Sequence, residues 1–357
     1  MKITMKDIAE RTGYSISTVS RVLSNSSRIS DKAKKDILKV ARQLNYDFNF
    51  SPNLSQNNSK NTVELKNVAL ITDFHEGEFY ASYFYGLSCA AIQENVRLSL
   101  YNVQNPTREV GPFIKSIVNE GYFDGIILFI PELIQRDYIA IMKHLPADFP
   151  VVSNALINNP HLPTITFDGY SGGNQTAKHF DKLGFRKVGI AKGPKSKAES
   201  RFRTNGFRDY IENCEHMELL WEYEGNFEYQ SGVDAFYNLF ESSINLDAVF
   251  VSNDLMANAF IDSAQYHGFN IPEDIAVTGY DNLPMCEQNY PRITSITTDF
   301  FRLGTFSIRQ LKLKTGGNDD YQGTLSLIPV ELIARESTLE PEEKHPSDSR
   351  HYSISSM

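Results

Sequence analysis

From residue 68 onward, the chain alternates short apolar runs, which have the length of buried strands, with stretches that show helical spacing. The apolar runs include Val68–Thr72, Leu98–Val103, Gly125–Ile130, Val151–Ser153, Val188–Ala191, Ala248–Ser252 and Ala276–Tyr280. The order strand, helix, strand favours parallel sheets that are covered by helices. Because about 270 residues are too many for one such sheet, we predict an α/β body made of two doubly wound parallel-sheet subdomains.

The first 60 residues carry the opposite charge from the rest of the chain. They contain 11 Lys and Arg and 5 Asp and Glu, whereas the whole chain of 357 residues has a formal net charge of −9. A small basic module attached to an acidic body indicates that the module binds a polyanion and that the body has another task.

Residues 1–46 predict three short helices. Thr4 and Asp7 form a capping box at the first helix, Gly13 breaks the chain, and a second helix begins after Ser15. A helix, a turn that contains glycine and a second helix form the helix-turn-helix pattern, in which the second helix reads the major groove of DNA. On pattern alone, a plain all-α three-helix bundle with a basic surface is the alternative.

The second helix has residue types that suit base recognition. Val19 and Val22 face inward, whereas Arg21 faces outward and can bond a guanine edge through two hydrogen bonds. Neighbouring hydroxyl and amide side chains suit contacts with bases and phosphates. The candidate DNA contacts of this module are Ser15, Ile16, Ser17, Thr18, Ser20, Arg21 and Asn25.

The segment KDIAERTGYSISTVSRVLSNSSRISDKAKKDILKVARQLNY closely resembles the headpiece of LacI/GalR-family transcription regulators, since TVSRVL follows GYS at the family spacing. The resemblance continues through RTNGF at 203–207, NDLMA at 253–257 and GYDN at 279–282. It implies a dimeric DNA-binding repressor with a pseudo-palindromic operator and a periplasmic-binding-protein-like body that clamps a small metabolite. The resemblance favours a sugar or sugar derivative as that metabolite, and a purine nucleobase is the alternative.

Polar residues that follow predicted strands are candidates for binding this effector. Asn253 and Asp281 come at the carboxyl ends of two strands, where open α/β sheets bind ligands, and Arg203 opens a helix. The resemblance adds one acid and three aromatic residues, which completes the candidate set: Phe79, Tyr80, Asp168, Arg203, Phe227, Asn253 and Asp281. Each has a plain structural alternative, namely a helix or turn cap for the Asn and Asp, a surface ion pair for Arg203 and the apolar core for the rings.

Residues 47–66 are rich in Asn and Ser and predict a linker. Relatives place a short helix here that wedges a leucine into the minor groove, but in this chain Ser55 falls at the leucine position and Leu54 lies one residue early. Either Leu54 intercalates from a helix that begins at Pro52, or the linker stays flexible and couples the headpiece weakly to the body.

Other functions are less well supported by the sequence. A sugar-transport protein would need a signal peptide and no basic headpiece, and a sugar hydrolase or kinase would need a catalytic constellation, for which Asp168 and Asp281 are the remaining candidates. We therefore expect no enzyme activity, no cofactor, no metal ion and no membrane partner. The three separated cysteines predict a reduced, cytoplasmic protein.

The expected domains are a headpiece at 1–46, a hinge at 47–66, an effector-binding and dimerisation domain at 67–340 and a disordered tail at 341–357. Within the body, we expect the first subdomain at about 67–166 and 297–325 and the second at about 167–296 and 326–340.

Overall fold

The computed structural model describes residues 5–15, 18–19, 22, 32–33, 36–37, 39–40, 65–104, 106–146, 149–157, 159–313 and 323–338. The chain forms two compact units, Met1–Lys60 and Asn61–Met357. None of the helices in these described ranges is long and apolar enough to cross a membrane.

In the first unit, helix α1 spans Met5–Thr12 and ends at Gly13, whose φ of 73° lies in the left-handed region that glycine adopts without steric cost. The apolar core is formed by side chains from separate helical segments: Ile8, Ala9, Val19, Val22 and Ile37. The predicted chain break at Gly13 and the inward orientation of Val19 and Val22 are confirmed. Six predicted DNA contacts lie outside the described residues: Ile16, Ser17, Ser20, Arg21, Asn25 and Leu54.

The second unit contains two six-stranded sheets. The first sheet has the spatial order β11 (Leu325–Ile328), β5 (Thr164–Phe167), β4 (Val151–Ser153), β3 (Gly125–Phe129), β1 (Asn67–Thr72) and β2 (Arg97–Asn102). The second has the order β12 (Glu331–Ile333), β10 (Thr294–Thr297), β9 (Ala276–Asp281), β8 (Ala248–Val251), β6 (Lys187–Lys192) and β7 (Glu218–Glu224). The strands pair in parallel, except that β12 runs antiparallel to β10.

Helices connect the strands and cover the sheets. In chain order they are α2 (Glu78–Gln93), α3 (Pro106–Glu120), α4 (Gln135–Met142), α5 (Gly169–Lys182), α6 (Ala198–Glu212), α7 (Tyr229–Ser242), α8 (Asp254–Tyr266), α9 (Met285–Gln288) and α10 (Phe300–Lys312).

Each sheet has an apolar core on both faces, because successive side chains of a strand point to opposite sides. In β1, Val68 and Leu70 join one core whereas Ala69 and Ile71 join the other. The four residues of β8 divide between two cores in the same way. This two-sided burial is why parallel strands appear in the sequence as continuous apolar runs. The prediction of two doubly wound sheets is confirmed.

The chain passes between the two sheets more than once. It leaves the first sheet after β5, returns through α10 to β11, and then adds β12 to the edge of the second sheet. Ser326 of β11 pairs with Ile165 of β5. The first sheet thus extends past the boundary expected at residue 325, because the β11 edge completes it before the chain crosses back.

Candidate functional site

The carboxyl ends of β8 and β9 bring two of the predicted effector residues to one edge of the second sheet. Asn253 follows β8, and Asp281 is the last residue of β9. Helix α6 carries Arg203 to the same edge, where its Nη2 lies 3.3 Å from Asp281 Oδ1 and its Nη1 donates a hydrogen bond of 2.5 Å to the Ser252 carbonyl. The side chains of Arg203 and Asp281 are only 11% and 5% exposed. The alternative of a surface ion pair is therefore wrong.

Aromatic rings also hold the Arg203 side chain. Its Cζ lies 3.7 Å from the ring centroid of Tyr280 and 5.7 Å from that of Phe227, and a cation over a ring face contributes about 0.5–2 kcal/mol. The buried Ser252 hydroxyl has no hydrogen-bond partner in the described part of the chain. The sequence pattern did not single out Tyr280 or Ser252, although each directly precedes a candidate residue.

Two carboxylic acids at the carboxyl ends of β8 and β9, Asp254 and Asp281, lie in surroundings that disfavour their charged forms. Burial raises the pKa of the Asp281 carboxyl above its ordinary value, and the Arg203 guanidinium opposes that rise. Burial, followed by the neighbouring charge of Asp281, also raises the pKa of Asp254. The Asp281 backbone has a φ of 108°, which is strained for a residue with a side chain. A buried and strained acid of this kind is typical of a functional site.

Asn253 and Asp168 cap helices, in line with their plain structural alternative. Asn253 Oδ1 accepts a hydrogen bond of 3.0 Å from Met256 N, and its Nδ2 donates one of 2.8 Å to the Phe227 carbonyl. Asp168 Oδ1 accepts a hydrogen bond of 2.9 Å from Ser171 N at the start of α5. Asn253 therefore fixes the backbone of Phe227 beside the buried ion pair.

The Phe227 ring packs closely against the backbone of a glycine that follows β6. Phe227 has a φ of 74°, in the left-handed region. Its ring lies so close to Gly193, just after β6, that an added Cβ there would be 2.0 Å from Phe227 Cζ. The bare backbone at Gly193 thus sets the distance between the ring and the end of the sheet.

Phe79 and Tyr80 lie in the first subdomain, at the start of α2. The Phe79 ring centroid is 5.9 Å from that of Phe129 and 5.5 Å from that of Phe300, so Phe79 packs against the core as its alternative states. Tyr80 lies 5.4 Å from Phe79, and burial raises the pKa of its phenol. Within the described residues, no ring contact joins this group to Arg203 or Asp281.

Carboxylates join the two subdomains. The contacts run from Lys197 Nζ to Glu132 Oε1 at 2.9 Å, from Leu156 N to Glu199 Oε1 at 2.7 Å, and from Met285 N to Glu78 Oε2 at 2.9 Å. These acids were missed by the sequence reasoning, because their partners are far away in the chain and follow no spacing rule. Their positions show where the two subdomains meet.

In the first unit, two predicted DNA contacts are bound to each other. Ser15 Oγ accepts a hydrogen bond of 3.1 Å from Thr18 N and lies 2.8 Å from the Thr18 hydroxyl. This is the geometry of a helix N-cap, and Val19 N donates to the Ser15 carbonyl in the same turn. The predicted start of the second helix after Ser15 is confirmed.

Two family models match the chain in the order of its two units. One, described as bacterial regulatory proteins of the lacI family, matches residues 4–49, and one, described as a periplasmic binding protein-like domain, matches residues 177–338. Together they cover more than half of the chain. The chain belongs to the LacI family. The family resemblance of the sequence is confirmed, and the protein is a DNA-binding transcriptional regulator.

Similar proteins span nearly the whole of this LacI-family chain. The HTH-type transcriptional repressor PurR of Mannheimia succiniciproducens is 27% identical over 338 residues, which cover 94% of this chain and 98% of the relative. The HTH-type transcriptional regulator DegA of Bacillus subtilis is 25% identical over 95% of this chain and 98% of its own length. Among solved structures, the Lac repressor dimer bound to operator and the anti-inducer ONPF matches with a TM-score of 0.68 and 25% identity, over 95% of this chain and 100% of the other.

Proposed function

We propose that this regulator is a homodimeric repressor whose affinity for operator DNA changes when a small polar metabolite binds between the two sheets. The observation that carries the proposal is the buried Arg203–Asp281 pair at the carboxyl ends of β8 and β9. Open α/β folds bind ligands at this edge, and a buried charged pair contributes little to stability. Its burial and strain are therefore better explained by ligand binding than by folding.

The pair offers a matched set of donors and acceptors. A guanidinium has five N–H donors, and hydrogen bonds to Ser252 and Asp281 use two of those on Arg203. The Asp281 carboxylate accepts hydrogen bonds from hydroxyl groups, and the buried Ser252 hydroxyl can donate or accept. Vicinal hydroxyls of a sugar or sugar derivative fit such a set, so a sugar is the first candidate effector.

A purine base is the second candidate. The Phe227 ring beside the Arg203 guanidinium gives a flat surface on which a base can stack, and the name of the relatives called PurR favours this candidate. Stacking on an aromatic ring contributes about 1–3 kcal/mol per base. Phe227→Leu should therefore weaken binding of a purine about tenfold or more, and should weaken binding of a sugar less.

The apolar surface of α2 supports the homodimer. Tyr85 and Ile92 are 72% and 76% exposed, and their spacing of seven residues places them on one face of the helix. Large exposed apolar side chains on one face mark an interaction surface. We propose that α2 of one protomer packs against its partner, and that Ile92→Glu gives monomers in sedimentation experiments.

We further propose that the headpiece reads DNA through the helix after Ser15, with Ile16, Ser17, Arg21 and the linker residue Leu54 among its contacts. Two headpieces in a symmetric dimer predict a pseudo-palindromic operator. The expected headpiece, hinge, effector domain and tail are kept as the proposed division of the chain.

The test begins with a thermal-shift screen of the full chain against sugars, sugar phosphates and nucleobases. A ligand at 100 times its dissociation constant should stabilise the protein by about 2.7 kcal/mol. The hit is then titrated into the protein bound to a DNA duplex selected from a random pool, and fluorescence anisotropy measures the change in DNA affinity.

Asp281→Asn should abolish the response to the ligand and leave DNA affinity intact. The control is Asp262→Asn, which removes an exposed carboxylate that bonds Tyr229 at 2.9 Å and should respond as the wild type does. An unchanged dose-response in Asp281→Asn would contradict the role of the pair. Absence of any selected DNA would contradict the repressor itself.

A further inference from the structure

Three side chains with metal-binding atoms converge at the opposite end of the second sheet from the Arg203–Asp281 pair. His216 Nε2 lies 2.7 Å from Asp181 Oδ1 and 3.5 Å from Cys214 Sγ. All three atoms lie within 4.8 Å of one another. Asp181 belongs to the last turn of α5, whereas Cys214 and His216 occupy the loop between α6 and β7.

These separations are close to those of a tetrahedral zinc site. With Zn–N near 2.0 Å and Zn–S near 2.3 Å, tetrahedral angles place nitrogen and sulfur about 3.5 Å apart, and the His216–Cys214 distance is 3.5 Å. A nitrogen and a carboxylate oxygen would be about 3.3 Å apart, so the 2.7 Å contact between His216 Nε2 and Asp181 Oδ1 needs to open by about 0.6 Å. A thiolate, an imidazole and a carboxylate are a donor set that suits Zn²⁺.

Two neighbouring side chains have opposite effects on cation binding at this cluster: Tyr210 favours it and Arg186 opposes it. Tyr210 donates a hydrogen bond of 2.9 Å to Asp181 Oδ2, which leaves Oδ1 directed at the cluster and orients the carboxylate as an outer-shell partner does. Arg186 Nη1 lies 3.0 Å from Asp181 Oδ1 and competes for it. The Arg186 side chain is about half exposed, so its guanidinium can turn into solvent when a cation takes its place.

The cluster also has room for the ligands that three side chains do not supply. Asp181, Tyr210, Cys214 and His216 line an open surface cavity of about 700 Å³. Water in this cavity can complete a four-coordinate sphere.

We propose that Asp181, Cys214 and His216 form a Zn²⁺ site on the second subdomain. The sequence predicted no metal site because Cys214 and His216 lack a paired ligand motif, and Asp181 lies 35 positions before His216. The site is built at the amino ends of the strands, whereas the candidate effector site lies at their carboxyl ends. Bound zinc would tie the end of α5 to the loop before β7.

The experiment uses Co²⁺ as the spectroscopic probe and Zn²⁺ as the competitor, with the full chain kept reduced. Cobalt bound through Cys214 should give an intense near-ultraviolet band from thiolate-to-metal charge transfer and visible bands typical of tetrahedral geometry. Addition of Zn²⁺ should remove both. Cys214→Ser should lose the charge-transfer band, whereas Cys89→Ser, which changes a cysteine of the first subdomain, should retain it.

Two further variants separate the site from a surface that binds metal weakly. Arg186→Gln removes the competing cation and should tighten Zn²⁺ binding severalfold, while Tyr210→Phe should weaken it about tenfold. Circular dichroism checks that each variant is folded. Absence of the charge-transfer band in the wild type, or its persistence in Cys214→Ser, would overturn the proposal, whatever the fate of the effector site.

Discussion

Replacing Arg203 with methionine would leave the buried Asp281 carboxyl without its counterion. At 3.3 Å and an effective dielectric constant of about 20, the attraction between the two charges is about 5 kcal/mol. Loss of one partner of a buried pair typically lowers the free energy of unfolding by about 3–5 kcal/mol. Asp281→Asn should cost less, because Arg203 keeps its hydrogen bond to the Ser252 carbonyl and its contact with the Tyr280 ring. The double variant should therefore be more stable than Arg203→Met alone.

The loss of stability in Arg203→Met should also depend on pH. Burial already raises the pKa of Asp281, and loss of the guanidinium would raise it further. A group whose pKa is raised in the folded state contributes stability at low pH that is lost as the pH rises through the folded-state pKa. The destabilisation in Arg203→Met should thus be largest at pH 7 and should shrink as the pH is lowered to 5.

Urea unfolding followed by Trp221 fluorescence measures these effects. The chain has one tryptophan, which lies on β7 of the same sheet, is buried, and donates a hydrogen bond of 3.0 Å to Asn238 Oδ1. The matched control is Arg208→Met, on the same helix as Arg203. Its pair with Glu222 is 36% and 28% exposed and should contribute no more than about 1 kcal/mol.

A free energy of unfolding that falls no further in Arg203→Met than in Arg208→Met would refute the role of the buried pair. A direct interaction between Arg203 and Asp281 requires a coupling energy in this double-mutant cycle. An equal effect of Asp281→Asn in the wild-type and Arg203→Met backgrounds would therefore also contradict it.

Three further predictions concern single residues of the second subdomain. Gly193→Ala adds a Cβ 2.0 Å from Phe227 Cζ and should displace the ring. The response to the effector should then weaken about tenfold, while DNA affinity in the anisotropy assay stays at the wild-type value. Gly206→Ala places a Cβ 1.9 Å from the Tyr170 carbonyl oxygen. This overpacking of α5 against α6 should lower the free energy of unfolding by about 1–3 kcal/mol. The matched comparison is Gly111→Ala, whose Cβ would meet only His144 at 3.5 Å. Burial lowers the pKa of His179 to about 4. As the pH falls, the unfolded chain therefore takes up a proton before the folded chain does. The free energy of unfolding should thus fall by about 2 kcal/mol between pH 7 and pH 5. His179→Gln should flatten this part of the pH profile, and an unchanged slope would show that His179 is not its source.

The fold could be predicted from the sequence because central parallel strands are buried on both faces. Every residue of β8, Ala248–Val251, is buried, and such strands appear as continuous apolar runs. The edge strands β7 and β11 follow a different rule. In β7, Glu218–Glu224, only Trp221 is buried, and in β11 only Ile328 is buried. Mixed polar and apolar residues at an edge resemble a loop in the sequence, so the pairing that defines these strands becomes visible only in three dimensions.

The candidate site could be predicted only in part, for a related reason. Asp281 and Asn253 follow strong strand patterns, and their positions at strand ends are a consequence of topology that the sequence contains. The burial of Arg203 and its contact with Tyr280 depend on how α6 packs against the sheet. The Asp181 cluster depends on the same packing at the other end of α6. Contacts between distant segments carry no periodic signal, and this is why the sequence predicted a ligand site but no metal site.

Gating requires that the effector bind one arrangement of the two subdomains more tightly than another. The buried contacts of Arg203 with Asp281, Ser252 and Tyr280 all lie within the second subdomain. They therefore persist when the first subdomain rotates relative to the second. The ion pair between Lys197 and Glu132, which joins the two subdomains, is weaker. Lys197 and Glu132 are 27% and 36% exposed, and such pairs contribute about 1 kcal/mol or less. In the proposed function, the second subdomain would thus supply a fixed anchor for the ligand, and the Lys197–Glu132 pair would be one of the contacts that ligand binding changes. A difference in affinity of a few kcal/mol between the two arrangements is then enough to change the population that binds DNA.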